Sequence, residues 1–141
     1  YNAGTVELID LAFENSVELS NVFYWNKPIE ILVRFKVLKK VEKLLVGFTV
    51  ATATGVNVFT ANNSGNEFSF EAQTEVVVRI NIEHNLRHGL YTLHLGAMEG
   101  SQDIWWHTDV ANIEITNLTP GIVYPSNNSG VVLCDSTWTI N

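Results

Sequence analysis

Apolar and polar residues alternate along much of the chain with a period of two, which is typical of half-buried β-strands. The alternation is regular over 31–38 and recurs over 76–82 and 91–97, whereas 44–51 is apolar enough for a more fully buried strand. Further strands are predicted near 4–13, 56–61, 67–72, 109–116 and 131–140.

Turn-forming residues separate these runs, at Gly55, 62–66, His88-Gly89, Gly100 and 125–130. Short strands divided by turns roughly every ten residues favour an all-β sandwich or barrel. The stretch from Glu83 to His88 is the one place where the pattern allows a single helical turn. Residues 1–141 contain no linker or internal repeat, so we expect a single domain.

Composition and charge narrow the possible functions. The chain has 141 residues, 46% of them hydrophobic, which is enough to bury the core of one domain. A net charge of −7 argues against nucleic acid or an anionic membrane surface as a partner. The single cysteine, Cys134, follows three apolar residues and is interpreted as a small core residue.

Motifs for catalysis or cofactor binding are not recognisable in the sequence. It has no phosphate-binding loop, dinucleotide fingerprint or nucleophile elbow, so we expect no catalytic residues and no cofactor. His84 and His88 would share a helix face if that segment were helical, but zinc needs further ligands. A solvated turn accounts for both histidines better, and no metal site is expected.

The aromatic residues are more informative. Trp105, Trp106 and His107 lie between polar residues, and we interpret the segment as a loop. Adjacent side chains on extended backbone point in opposite directions, so one tryptophan should be at least partly exposed. An exposed indole offers an apolar platform to the C–H-rich face of a sugar ring. The alternative is that the pair closes one end of the sandwich.

Several stretches, taken in order, carry a resemblance to a known family. They are Pro28 to Phe35, Val46 to Val50, Gly55 to Asn62, Asn85-Leu86 with Gly89 to Leu93, Asp109 to Ala111, and Gly130 to Leu133 with Trp138. Together they resemble the C-terminal domain of Wzt, the ATP-binding subunit of bacterial ABC transporters that export O-antigen polysaccharide. The chain departs from the family pattern at Lys27-Pro28 and Ala53-Thr54, which affects turns and packing.

The resemblance implies an antiparallel immunoglobulin-like or jelly-roll β-sandwich, in the cytoplasm at the inner face of the inner membrane. It also implies non-catalytic binding of the O-antigen polysaccharide, often at its modified non-reducing end. The ATPase domain would precede Tyr1, and the transporter's membrane subunit would be an indirect partner. Two alternatives remain, an immunoglobulin-like domain for protein interaction or adhesion, and a small hydrolase.

We expect the binding site on the outward face of one sheet, beside the segment with the tryptophans. The residues expected to face inward are Val33, Phe35, Phe48, Val78, Ile80, Leu93 and Leu95. Their strand neighbours, among them Thr49, Asn81 and Thr92, should then point outward. These strand-borne polar groups would supply donors and acceptors that are already ordered. Tyr24 and Trp25 are a second choice. The expected carbohydrate-binding residues are Arg34, Arg79, His94, Trp105, Trp106 and His107.

A homodimer is expected as well, because a sandwich has sheet edges that need protection and the transporter would bring two copies together. Residues 131–140 follow a long polar segment and could exchange between two copies as a swapped strand. The alternative, which is equally compatible with the sequence, is that this strand folds back onto its own sheet.

Overall fold

The structure is a computed structural model that describes residues 4–14, 21–116 and 139. The strand expected over 131–140 therefore lies outside the described residues, apart from Thr139. The described residues contain nine strands and no helix, and none of them forms a helix long and apolar enough to cross a membrane. The strands are β1 (Val6–Phe13), β2 (Val22–Tyr24), β3 (Ile29–Val37), β4 (Val41–Thr52), β5 (Asn57–Asn62), β6 (Phe68–Phe70), β7 (Thr74–Ile82), β8 (Gly89–Glu99) and β9 (Gln102–Thr116).

Two sheets form from these strands. The smaller has the order β1-β3-β7, and the larger has the order β2-β9-β8-β4-β5, with β6 paired to β4. Nearly all neighbours are antiparallel, as expected; the short β2 is the exception and runs parallel to β9. The chain crosses between the sheets after Val37, so that β3 and β4 are consecutive in sequence but lie in different sheets.

The core lies between the two sheets and follows the alternation in the sequence. In β3, every second residue from Ile29 to Val37 is buried. Aromatic rings from the two sheets meet at Phe13 with Phe23 and at Phe35 with Phe70, with centroids 5.1 and 6.5 Å apart. One buried cluster draws on both sheets, so the predicted β-sandwich is confirmed.

Most of the residues predicted to face inward do so. Val33, Phe35, Phe48, Leu93 and Leu95 are buried, whereas Val78 and Ile80 of the same predicted set are half-buried. Both exceptions lie on β7, which pairs only with β3 among the described residues, so this edge strand is less completely covered.

Two local features differ from what the pattern allowed or predicted. The helical turn that the pattern allowed from Glu83 to His88 is not formed; Leu86 makes a single β-bridge and is fully buried. The tryptophan segment is not a loop but part of β9, because Trp105 and Trp106 continue the pairing with β8 opposite Ala97 and Gly96.

Candidate functional site

The structure distributes the six expected site residues over two sheets. Arg34 and Arg79 lie on the outer face of the three-stranded sheet, on β3 and β7. Arg34 pairs with Asp10 at 3.3 Å and with Glu75 at 3.8 Å, and both Arg79 contacts to the Glu14 carboxylate are shorter than 3 Å. This outer face is therefore charged and ion-paired, and it is separated from the tryptophans by the thickness of the sandwich.

The two tryptophans lie on opposite faces of β9. Trp105 is 3% exposed and belongs to the core, whereas Trp106 is 41% exposed. The expectation that one tryptophan of the pair would be exposed is confirmed. His107 is exposed and makes an edge contact with Trp105, with ring centroids 5.0 Å apart. Of this aromatic segment, Trp106 is the residue whose flat surface reaches solvent.

The outer face of the six-stranded sheet has a depression whose floor is made by two glycines. Gly47 of β4 and Gly96 of β8 are register partners, and Asn62 of β5 and Trp106 of β9 flank them in the same row. With strands about 4.8 Å apart, this row extends roughly 14 Å across the sheet. The row thus places the flat ring of Trp106 on one side of Gly47 and the amide of Asn62 on the other.

The indole of Trp106 lies over Gly96. A Cβ added to Gly96 would overlap Cε3 of Trp106 and lie 2.7 Å from Cζ3, so the ring occupies the space that a side chain would take. The same construction at Gly47 gives 3.3 Å to the Ala61 carbonyl oxygen and 3.4 Å to the Asn62 Cβ. Gly96 is therefore needed for the ring position, and Gly47 keeps the floor low.

The remaining walls divide into an apolar and a polar side. Leu45 and Met98 are register partners next to the glycines and make the apolar side, and Asp103 lies opposite Met98. Thr60 and Asn62 on β5 make the polar side. The depression enclosed by these residues and Trp106 has a volume of about 180 Å³ and is open to solvent. We call it the glycine-floored groove.

Hydrogen bonds orient the polar groups beside this groove. The Asn62 Oδ1 accepts from the Ser64 backbone N–H at 2.9 Å, which leaves the Nδ2 group as the remaining donor of that amide. The hydroxyls of Thr49 and Thr60 are 2.6 Å apart. Thr49 points outward as predicted, yet it is buried. Side chains held in this way lose little conformational freedom when a ligand binds.

His94 lies next to Trp106 on the same face, with ring centroids 6.1 Å apart. Its Nδ1 accepts a 2.9 Å hydrogen bond from the backbone N–H of Asp109, so the neutral ring carries its proton on Nε2. Asp109 has a φ of 54° and lies in the bulge where β9 departs from regular pairing between His107 and Ala111. His94 therefore holds the bulge that follows the tryptophans.

The groove residues that the sequence analysis missed are chiefly Gly47, Gly96, Asn62, Leu45 and Met98. The two glycines did carry a signal, because an isolated glycine inside a strand pattern suggests a close approach of a ligand or of another backbone. Their pairing could not be recognised, because it depends on the register of β4 with β8.

The histidines considered for a metal site do not form one. Among the residues described, no group of three or more His, Cys, Asp or Glu side chains could hold a metal ion. His84 is partly buried, and its Nδ1 accepts from the Leu86 backbone N–H at 3.1 Å. Burial lowers the pKa of His84, although a backbone hydrogen bond at Lys27 opposes that shift. The contacts of His84 indicate a structural role.

Two solved structures were compared with this chain. A solved structure described as the C-terminal domain of Wzt matches with a TM-score of 0.82 and 16% identity, over 100% of this chain and 87% of that one. A second, the X-ray structure of Northeast Structural Genomics Consortium target SoR45, has a TM-score of 0.38 and 8% identity, over 91% and 97% of the two chains. None of the curated proteins matches the chain.

The model of one protein family, the Wzt C-terminal domain, matches residues 1–132. This is most of the chain, and the solved Wzt domain has the same two-sheet architecture. The chain therefore belongs to the Wzt C-terminal domain family.

Proposed function

We propose that this chain binds a polysaccharide in the glycine-floored groove and does not cleave it. Membership in the Wzt C-terminal domain family supports a role in the O-antigen ABC exporter. The observation that carries the proposal is the position of Trp106, a partly exposed indole that lies over a glycine on the outer face of the larger sheet.

The groove has the two kinds of surface that a sugar ring requires. A pyranose has a C–H-rich face, which stacks favourably on a flat aromatic ring, and hydroxyls at its edge, which need hydrogen-bond partners. Trp106 supplies the ring, and Thr60, Asn62 and Asp103 supply hydroxyl, amide and carboxylate groups. Since a shallow groove buries little area, we expect a Kd of roughly 10 μM to 1 mM, or ~4–7 kcal/mol.

Binding without turnover is part of the same proposal. Glycoside hydrolysis requires two carboxyl groups about 5–10 Å apart across the scissile bond. Of the described residues that line the groove, Asp103 is the one with a carboxylate. In the exporter, such a domain would hold the finished polysaccharide on the cytoplasmic side of the inner membrane, close to the transporter's membrane subunit.

The test is a titration of isotope-labelled protein with fragments of bacterial O-polysaccharides, followed by NMR. We expect shifts at the Trp106 indole N–H and at the Gly47 and Gly96 amides. Trp106→Ala should weaken binding about 5- to 150-fold, the equivalent of ~1–3 kcal/mol for aromatic stacking. Trp106→Phe, which retains a ring, should lose less.

Arg34→Ala is the matched control, because Arg34 lies on the outer face of the other sheet. The recovered glycan should have its original chain length. Shortened glycan, or a Trp106→Ala variant that is folded and binds as tightly as the parent, would refute the proposal. So would shifts confined to the three-stranded sheet.

A further inference from the structure

The described side chains that line the glycine-floored groove include a negative charge and no positive charge. Asp103 is the one charged side chain among the described residues that line it, and neither lysine nor arginine contributes to the lining. The protein as a whole is acidic, with a net charge of −7. A ligand in the groove therefore meets a negative potential, both from the nearest side chain and from the rest of the molecule.

Lys43, a cationic residue near the groove, does not make this potential positive. Lys43 lies two residues before Leu45 on β4 and is exposed. It lies close enough to Glu67 to act on that carboxylate: the pKa of Glu67 is lowered by backbone hydrogen bonds at Glu67 and Gly65, and further by the charge of Lys43. Lys43 is not among the described residues that line the groove, and its charge acts on the Glu67 carboxylate.

The arginines are also engaged elsewhere. Arg34 and Arg79 lie on the outer face of the other sheet, where each is paired with at least one carboxylate. Recognition of a carboxylate or phosphate commonly uses a bidentate arginine or a lysine that can reach the anion. The described part of the groove offers neither group to a ligand.

The floor and one wall favour an uncharged, C–H-rich ligand surface. Gly47 leaves the sheet backbone accessible, the Trp106 ring covers Gly96, and Leu45 and Met98 form an apolar wall beside the glycine row. An anionic group placed on this apolar surface would lose hydration without gaining a cationic partner, which is unfavourable. A methyl substituent has no such cost, and a neutral hydroxyl has a much smaller one, which a hydrogen bond offsets.

We infer that the groove selects a neutral saccharide and rejects sugars that carry a carboxylate or phosphate. The inference rests on the proposed function, since it concerns the class of sugar bound at that same site. Asp103 is the specificity-determining residue, because its carboxylate repels an anionic ligand and can accept hydrogen bonds from the hydroxyls of a neutral one.

The experiment compares matched neutral and anionic sugars. The probes are the methyl glycosides of glucose, galactose and mannose, each set beside the corresponding uronic acid, with binding measured by NMR titration at low ionic strength. We expect each neutral sugar that binds to do so at least tenfold more tightly than its uronate. Asp103→Asn should narrow the difference, and so should 0.5 M salt, which has a Debye length of about 4–5 Å.

Asp10→Asn is the matched control, since it removes one exposed carboxylate from the other sheet. It should leave the ratio between neutral sugar and uronate unchanged. If a uronate binds as tightly as its neutral counterpart, or if Asp103→Asn leaves the ratio unaltered, the charge selection is wrong while saccharide binding stands. If neither the six probes nor O-polysaccharide fragments bind, the proposed function fails, and this inference fails with it.

Discussion

Gly96→Ala tests whether the position of the Trp106 ring is set by the glycine beneath it. The new methyl group would overlap Cε3 of the indole and lie 2.7 Å from Cζ3. Carbon atoms in ordinary contact are about 3.5–4.0 Å apart, so the ring must retreat by about 1 Å or rotate away from the sheet. The substitution thus displaces the proposed binding platform without removing it.

The cost to folding should be small and the cost to binding large. Extra methyl groups in closed cores destabilise proteins by ~1–3 kcal/mol, but Trp106 is partly exposed and can move toward solvent. We therefore expect a loss of about 1 kcal/mol or less in the free energy of unfolding. Loss of stacking should weaken saccharide binding by ~1–3 kcal/mol, which corresponds to about 5- to 150-fold in Kd.

Three measurements check this prediction: chemical denaturation for stability, near-ultraviolet circular dichroism for the indole environment, and NMR titration for binding. Gly47→Ala is the contrasting variant, because its methyl group meets Ala61 and Asn62 and not Trp106. It should reduce binding by filling the floor, with the near-ultraviolet spectrum preserved. If Gly96→Ala alters the spectrum yet binds as tightly as the parent, the ring position is irrelevant and the reasoning is refuted.

The other predictions concern the opposite sheet, acid stability and assembly. Arg34→Ala and Arg79→Ala should each change the free energy of unfolding by less than ~1 kcal/mol, because exposed ion pairs contribute little. Neither substitution should change saccharide affinity in the same titration. A large loss of affinity would show that the arginines take part in binding. Burial lowers the pKa of His84 from its usual 6.5, so the unfolded chain takes up this proton before the folded one does. Stability should therefore fall as the pH drops below 6.5. The change in unfolding free energy caused by this one proton cannot exceed about 1.4 kcal/mol per pH unit. Denaturation at pH 7 and pH 5 should show a smaller loss for His84→Gln, and equal losses would assign the acid sensitivity to other groups. Light scattering should give the mass of a homodimer, and a monomer mass at high protein concentration would contradict that expectation.

Strand positions could be predicted because alternation is a local property. The runs at 31–38 and 91–97 have an inward set whose burial the structure confirms. The argument that adjacent side chains point in opposite directions was also correct for Trp105 and Trp106. Their segment was nevertheless mistaken for a loop, because the polar residues on both sides of the pair are exposed positions of the strand β9. Local pattern alone does not distinguish an exposed strand edge from a loop.

The composition of the groove could not be predicted in the same way. Whether Arg34 and His94 share a sheet depends on strand order, which results from contacts between residues far apart in sequence. The chain crosses to the other sheet between β3 and β4, so Arg34 belongs to one outer face and His94 to the other. The meeting of Gly47 with Gly96 likewise requires the exact pairing of two strands that are separated by β5, β6 and β7.

The alternation along β4 has a consequence for how such a domain can change over evolutionary time. Val46, Phe48 and Val50 face the other sheet, while their immediate neighbours Leu45, Gly47 and Thr49 face outward. Substitutions at Leu45 and Gly47 change the outer surface with little effect on the core, whereas Thr49 is buried although it faces outward. Selection can therefore change this outer surface, and with it the proposed ligand preference, nearly independently of the core, which is compatible with the same architecture at 16% identity and a TM-score of 0.82.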